Sequence, residues 1–155
     1  MSRWLARIAA RRPRRTISGP DGEPYLERYY LATLFGVRLY LHRFVASDPD
    51  RGLHDHPWAW SGAWLLSGGY TELREVSARD GGKIVVERQL WAGDINRLDG
   101  ETRHRIVLRE GREAWSLFAH GRRIKGWGFF SRNGYQPAAV DARDHATREW
   151  WRRER

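Results

Sequence analysis

Short runs of alternating residues, each ended by a turn signal, are the feature that most constrains the fold of this chain. The run Val37–Ala46 is rich in Tyr, Leu and Val at a period of two, which is typical of a strand with two different faces. Turns rich in Gly, Asp and Ser separate the runs. The predicted strands are Tyr25–Thr33, Val37–Ala46, Gly52–His56, Trp58–Leu66, Tyr70–Val76, Lys83–Leu90, Asp94–Leu98, Arg103–Leu108, Ala114–His120 and Lys125–Phe130. So many short, evenly spaced strands predict an all-β jelly-roll barrel.

Composition excludes several classes of protein. The chain has 155 residues, which is the size of one domain, and it has no cysteine. Disulfides, thiolate metal sites and cysteine nucleophiles are therefore excluded. No run approaches the roughly 18–20 apolar residues of a membrane-spanning helix, and the N-terminus lacks the apolar core of a signal peptide. We expect a cytoplasmic protein with no membrane span.

The positive charge is concentrated at the N-terminus. The net charge is +9, and residues 1–15 contribute +6 of it through six arginines with no acid. Such an arm is usually solvated, but it also fits contact with nucleic acid or another anionic surface. We therefore predict three parts: a basic arm over 1–17, a barrel over 18–140, and a short C-terminal helical tail over 141–155 that carries Trp150 and Trp151.

A pair of histidines predicts a metal site. His54 and His56 are two residues apart, so on a strand their imidazoles lie on one side, about 7 Å apart along the backbone, and Asp55 points the other way. A third histidine, His104, follows Gly93 by eleven residues across a strand, a turn and a second strand. Three neutral imidazoles form a site suited to one divalent transition metal.

These two segments resemble the paired motifs of the cupin superfamily. His54 and His56 match the first motif, and Gly68 matches its closing glycine. The second motif is matched in spacing by Gly93, Asp94, Gly100 and His104. Two positions depart from the pattern: Trp60 and Ser61 replace the expected glutamate, and Leu98 and Asp99 replace the usual proline. The run from His54 to Trp58 further resembles a group of small bacterial and phage cupins.

The resemblance implies a double-stranded β-helix barrel with one bound metal ion. The missing glutamate leaves three histidines, as in the thiol dioxygenase branch of cupins. This implies Fe(II) first, with Ni(II), Zn(II) or Mn(II) as alternatives, and an Fe(II) oxygenase that acts on a small molecule. The alternatives are a non-catalytic cupin that binds a small ligand and a metal-independent isomerase or epimerase. Since cupins often pair through sheet edges, the resemblance also allows a homodimer.

Five further residues are candidates around this site. Glu72, on the strand after Gly68, is a candidate fourth ligand or general base, with an exposed strand glutamate as the alternative. Arg97 and Arg105 are candidates for holding a substrate carboxylate or phosphate, and Trp60 for forming part of a substrate cage. His42, on a separate strand, is a candidate for supporting a metal ligand from behind.

Overall fold

The computed structural model describes residues 3–138 and 149–152, and in them the chain is mostly strand. One helix, α1, spans Arg3–Ala9, and a 3-10 turn spans Trp150–Arg152. The strands are β1 (Arg14–Ser18), β2 (Pro24–Leu34), β3 (Val37–Phe44), β4 (Leu53–His54), β5 (Trp60–Ser67), β6 (Gly69–Ser77), β7 (Lys83–Trp91), β8 (Ile95–Asp99), β9 (His104–Val107), β10 (Ala114–His120), β11 (Gly128–Ser131) and β12 (Gly134–Pro137).

The strands form two six-stranded antiparallel sheets, which confirms the all-β jelly-roll prediction. Sheet A has the order β1-β2-β3-β10-β5-β8, and sheet B has the order β12-β11-β4-β9-β6-β7. Each of the ten predicted strands overlaps an observed one. The sequence missed β1 and β12, which lie at sheet edges. An edge strand buries little of its surface, so it does not need the apolar alternation on which the prediction depends.

The core lies between the two sheets. Sheet A contributes Leu26, Phe44 and Leu65 to it, and sheet B contributes Tyr70 and Ile106; all are buried. These side chains alternate with outward-facing residues along their strands, as a half-buried strand requires. Burial of one large apolar side chain contributes about 1.5–3 kcal/mol, so this shared cluster holds the sheets together.

The N-terminal arm is partly folded onto the barrel. Leu5 and Ala9 of α1 are buried against Tyr29, Leu41 and Trp115, on the outer face of sheet A. The next residues form β1, which pairs with β2. The predicted boundary at residue 17 therefore falls inside β1. The arm becomes part of sheet A because its backbone completes the hydrogen bonds of the exposed edge of β2.

At the C-terminus, Trp150–Arg152 forms a single 3-10 turn, and Trp151 is buried against the barrel. Trp151 stacks on Tyr30 with ring centroids 4.2 Å apart. The rest of the predicted tail, residues 141–148 and 153–155, lies outside the described residues. Among residues 3–138 and 149–152, no helix has the length and apolar character needed to cross a bilayer.

Candidate metal centre

Three histidines converge at one end of the barrel. His54 ends β4 and pairs directly with His104, the first residue of β9, while His56 follows in the segment after β4. One ring nitrogen from each lies within 4.8 Å of the other two. The Nε2 atoms of His56 and His104 are 2.8 Å apart. The structure thus brings together the three residues that the sequence predicted as metal ligands.

Asp55 shows why the two histidines of the first motif face the same way. Its side chain points away from the cluster, as the alternation predicted. Its Oδ1 accepts the Gly128 N–H at 2.8 Å, and its Oδ2 accepts Lys125 Nζ at 2.8 Å. The buried carboxylate therefore ties the segment between His54 and His56 to β11. Gly52 permits a close approach nearby, because a Cβ there would collide with the Phe130 carbonyl.

Glu72 lies behind His104 rather than beside the metal-facing nitrogens. It is fully buried on β6, and its Oε1 is 2.7 Å from His104 Nδ1. The same oxygen accepts bonds from Asn96 and Arg74, and Oε2 accepts one from Arg88. This corrects the predicted role of ligand or base, because both carboxylate oxygens are already occupied.

The electrostatics of Glu72 suit a residue that orients a metal ligand. Burial by itself raises the pKa of this carboxyl, but bonds from His104, Asn96 and Arg74 outweigh burial and lower the pKa to about 2. Glu72 is therefore a carboxylate that accepts the Nδ1–H of His104. That bond fixes the tautomer in which Nε2 has its lone pair toward His54 and His56.

The cluster fits a transition metal. Burial lowers the pKa of His54 and of His56 well below the usual value, so both imidazoles are neutral and have a lone pair to share. With metal–nitrogen bonds of about 2.0–2.1 Å, a right angle at the metal separates two nitrogens by about 2.9 Å, and a tetrahedral angle by about 3.4 Å. The Nε2 atoms of His56 and His104, 2.8 Å apart, are therefore close enough to share one metal ion.

A cavity of about 600 Å³ adjoins the three histidines. Inward-facing side chains of sheet A form its opposite wall, chiefly Tyr40 and His42 of β3 and Phe118 and His120 of β10. His42 stacks on Phe118 at 4.5 Å, and Trp58 stacks on His120 at 4.1 Å. The wall is therefore a layer of packed rings, broken by a few polar groups.

His42 lines this cavity, although it does not support a metal ligand as predicted. Its Nε2 accepts a bond from Arg28 Nε at 3.0 Å. Within the described residues, its ring contacts are with Tyr40, Phe44 and Phe118, and none is with the three clustered histidines. His42 belongs to the sheet A wall because β3 faces the cluster from across the cavity.

Three residues predicted to bind substrate do not line the cavity. Arg97 is exposed on β8, where its neighbours Asn96 and Leu98 face inward. Arg105 adjoins the inward-facing His104, so it faces outward and pairs with Asp50 at 2.6 Å.

Trp60 is 45% exposed on the outer face of β5. All three predictions fail for one reason: on a strand, the residue next to an inward-facing side chain faces outward.

Among the arginines that line the cavity, the sequence analysis missed Arg28 of β2 and Arg38 of β3. Arg38 has the same parity along β3 as Tyr40, His42 and Phe44, all of which face inward. That alternation was visible in the sequence and could have grouped Arg38 with His42 on one face of the strand. Arg28 could be placed only from the pairing of β2 with β3, which sets it opposite His42.

The fold is similar to that of several solved structures, all of them distant in sequence. A sugar phosphate isomerase of the cupin superfamily from Silicibacter pomeroyi matches with a TM-score of 0.54 and 16% identity, over 84% of this chain and 88% of that one. Fe(II)-HppE with an alternative substrate also matches with a TM-score of 0.54, at 14% identity over 74% of this chain and 57% of that one. Oxalate oxidase in complex with the substrate analogue glycolate matches with a TM-score of 0.51 and 18% identity, over 75% of this chain and 61% of that one.

The chain spans a little over half the length of the HppE and oxalate oxidase chains that it matches. No protein-family profile matches the sequence, and no curated protein sequence matches it significantly. The resemblance predicted from the two histidine motifs is confirmed by the shared architecture. The fold of this chain is that of the cupin superfamily.

Proposed function

We propose that this protein is a metal-dependent enzyme, a mononuclear non-haem Fe(II) oxygenase that acts on a small molecule. One observation carries the proposal: ring nitrogens of three histidines converge at the wall of a cavity. Three protein ligands leave coordination positions open, as in catalytic rather than structural metal sites. Among the candidate metals, Fe(II) suits a site with imidazole ligands and open coordination positions.

The residues around the centre have distinct tasks. His54, His56 and His104 would hold the metal, which when bound supplies the capacity to activate dioxygen. Glu72 holds His104 in one tautomer and one orientation through the 2.7 Å bond to Nδ1. Because Glu72 is behind the ligand, it leaves the cavity side of the centre clear for a substrate.

The cavity suits a small organic substrate. Its volume of about 600 Å³ is in the usual range for small-molecule sites. Rings of Trp58, Phe118 and Trp127 line it, so a bound substrate displaces water from the space beside the centre. A cavity of this size favours a small molecule over a polymer.

Elemental analysis of purified protein tests the metal. We expect near-stoichiometric metal in the wild type after anaerobic incubation with iron, and its loss in His54→Ala and in His104→Ala. His120→Asn is the matched control, because His120 lines the same cavity outside the cluster and should leave the metal content unchanged. Wild-type protein that takes up no iron, nickel, zinc or manganese would contradict the proposal and favour the ligand-binding alternative.

Turnover in chelator separates the oxygenase from the isomerase alternative. Once a substrate is identified, an oxygenase stops in chelator and consumes dioxygen in proportion to product. A metal-independent isomerase keeps full activity in chelator and consumes no dioxygen.

The homodimer, the cytoplasmic location and contact of the basic arm with an anionic surface remain predictions. The arginines Arg3, Arg7 and Arg11 of that arm are exposed.

A further inference from the structure

We propose that the cavity selects an anionic small molecule, whose carboxylate or phosphate group binds Arg28 and Arg38 on the sheet A wall. The inference rests on the proposed function only for the reaction, since the anion site is built from other residues than the metal centre. It assigns the two halves of the cavity different tasks: sheet B holds the metal, and sheet A holds the charged end of the substrate.

The charge of the lining supports an anion. Among residues 3–138 and 149–152, five arginines and one acid, Asp48, line the cavity. The Asp48 carboxylate is buried and already accepts the Ile106 N–H at 2.8 Å. The excess of guanidinium groups inside a partly enclosed space raises the local concentration of anions and strengthens each contact with them.

Arg28 is held in place by the wall. Its Nε donates to His42 Nε2 at 3.0 Å, and its guanidinium carbon lies 5.2 Å from the centre of the Tyr40 ring and 5.9 Å from that of Phe118. A guanidinium that is stacked and hydrogen-bonded in this way loses less freedom when it binds an oxyanion. His42 therefore orients Arg28 through this hydrogen bond.

Arg38 lies on the next strand, directly opposite His120 in the β3–β10 register. Its guanidinium carbon is 5.1 Å from the centre of the Trp151 ring. Within residues 3–138 and 149–152, Arg38 forms no ion pair with an Asp or Glu. A partly buried guanidinium with aromatic contacts and no carboxylate partner there is a suitable site for a ligand oxyanion.

The neighbouring polar groups are neutral, so the guanidinium groups determine the sign of the site. Burial lowers the pKa of His42 well below its usual value and that of His120 to about 4. Ser116 is opposite His42 in register and lines the same wall. Its buried Oγ has no hydrogen-bond partner among the described residues, so it is a hydroxyl that a polar ligand can satisfy.

Binding of simple aromatic anions tests the inference directly. The probes are benzoate, phenyl phosphate and the neutral benzyl alcohol, titrated at constant ionic strength by calorimetry and by the fluorescence of the cavity tryptophans. We expect at least one anion to bind and benzyl alcohol to bind at least about tenfold more weakly. Comparison of the affinities for benzoate and phenyl phosphate identifies which oxyanion the site prefers. Equal affinity for the alcohol overturns the proposal.

Three charge-matched variants locate the site. Arg28→Gln and Arg38→Gln should each weaken anion binding by about tenfold or more, because each removes a charged hydrogen-bond donor. Arg97→Gln makes the same change in net charge on the outer face of β8 and should change affinity by less than about twofold. An equal loss in all three variants means a general charge effect and overturns the site. Since Arg38 has no bond to His42, Arg38→Gln keeps the test valid if Arg28→Gln folds poorly.

This inference and the proposed function can fail separately. Repeating the anion titrations in His104→Ala tests the anion site without the metal centre. If the wild type takes up no metal but Arg28→Gln and Arg38→Gln lose anion binding, the metalloenzyme fails and the anion site stands. If metal binds stoichiometrically but neither arginine variant affects the anions, the anion site fails and the metal centre stands.

Discussion

The two sheets contribute to the same cavity in different ways. Sheet B places His54, His104 and Glu72 on adjacent strands, where a buried hydrogen bond joins Glu72 to His104. Sheet A faces them with stacked rings, two arginines and a hydroxyl without a partner among the described residues. The Glu72 carboxylate of sheet B is therefore occupied by bonds within the protein, whereas the Ser116 hydroxyl of sheet A can bond to a ligand. The two proposals above assign the metal to the sheet B side and the charged end of the substrate to the sheet A side.

The largest difference should appear when a buried polar side chain is removed from each sheet. Glu72→Ala leaves Arg74 and His104 without their carboxylate partner, so we expect a loss of about 3 kcal/mol in unfolding free energy. Ser116→Ala removes a hydroxyl that has no partner among the described residues and should cost less than about 1 kcal/mol. Urea unfolding measures the free energy of both variants. Similar losses in the two would show that Glu72 and Ser116 do not differ in their contribution to stability.

A smaller effect is expected when Glu72 keeps its shape but loses its charge. Glu72→Gln cannot accept the His104 Nδ1–H as a carboxylate does, so metal affinity should fall by about 10–100-fold. His42→Gln, on the opposite sheet, is the control and should leave metal affinity unchanged. Competition with a chromogenic chelator gives both constants. An unaltered affinity in Glu72→Gln would mean that the carboxylate does not tune the ligand.

The sheet A wall should make stability dependent on pH in the metal-free protein. Burial lowers the pKa of His120 from 6.5 to about 4, so between these values the unfolded chain binds a proton that the folded chain does not. The stabilisation is fully present above pH 6.5 and is lost as pH falls toward 4, with a slope of about 1.4 kcal/mol per pH unit. His120→Asn should flatten the slope between pH 6 and pH 4 by about this amount. Parallel profiles for wild type and variant would disprove it.

The smallest effect is expected on the outer faces. Arg105 pairs with the exposed Asp50, so Arg105→Gln should cost no more than about 1 kcal/mol and should leave both metal and anion binding unchanged. Thermal unfolding measures the loss of stability, and the metal and anion titrations described above measure binding. A marked loss of anion binding in this variant would return Arg105 to the list of substrate contacts.

The three clustered histidines could be predicted from the sequence, because each lies in a short local pattern. His54 and His56 are two residues apart, and His104 opens a short strand after a recognisable turn. The role of Glu72 could not be predicted in this way. Whether a strand glutamate reaches a metal or the back of its ligand depends on the register of β6 against β9, which pairs Arg74 with His104.

The sequence by itself determined the strands, the turns and the three histidines, since alternation and glycine-rich turns are local properties. It did not determine which arginines face the cavity. Alternation states that Arg97 and Asn96 lie on opposite faces, but only the pairing of β8 with β5 shows that Asn96 is the inward one. The arginines of the cavity wall were decided by the tertiary structure, because strands far apart in the chain must close into a barrel before either face of a strand becomes its interior.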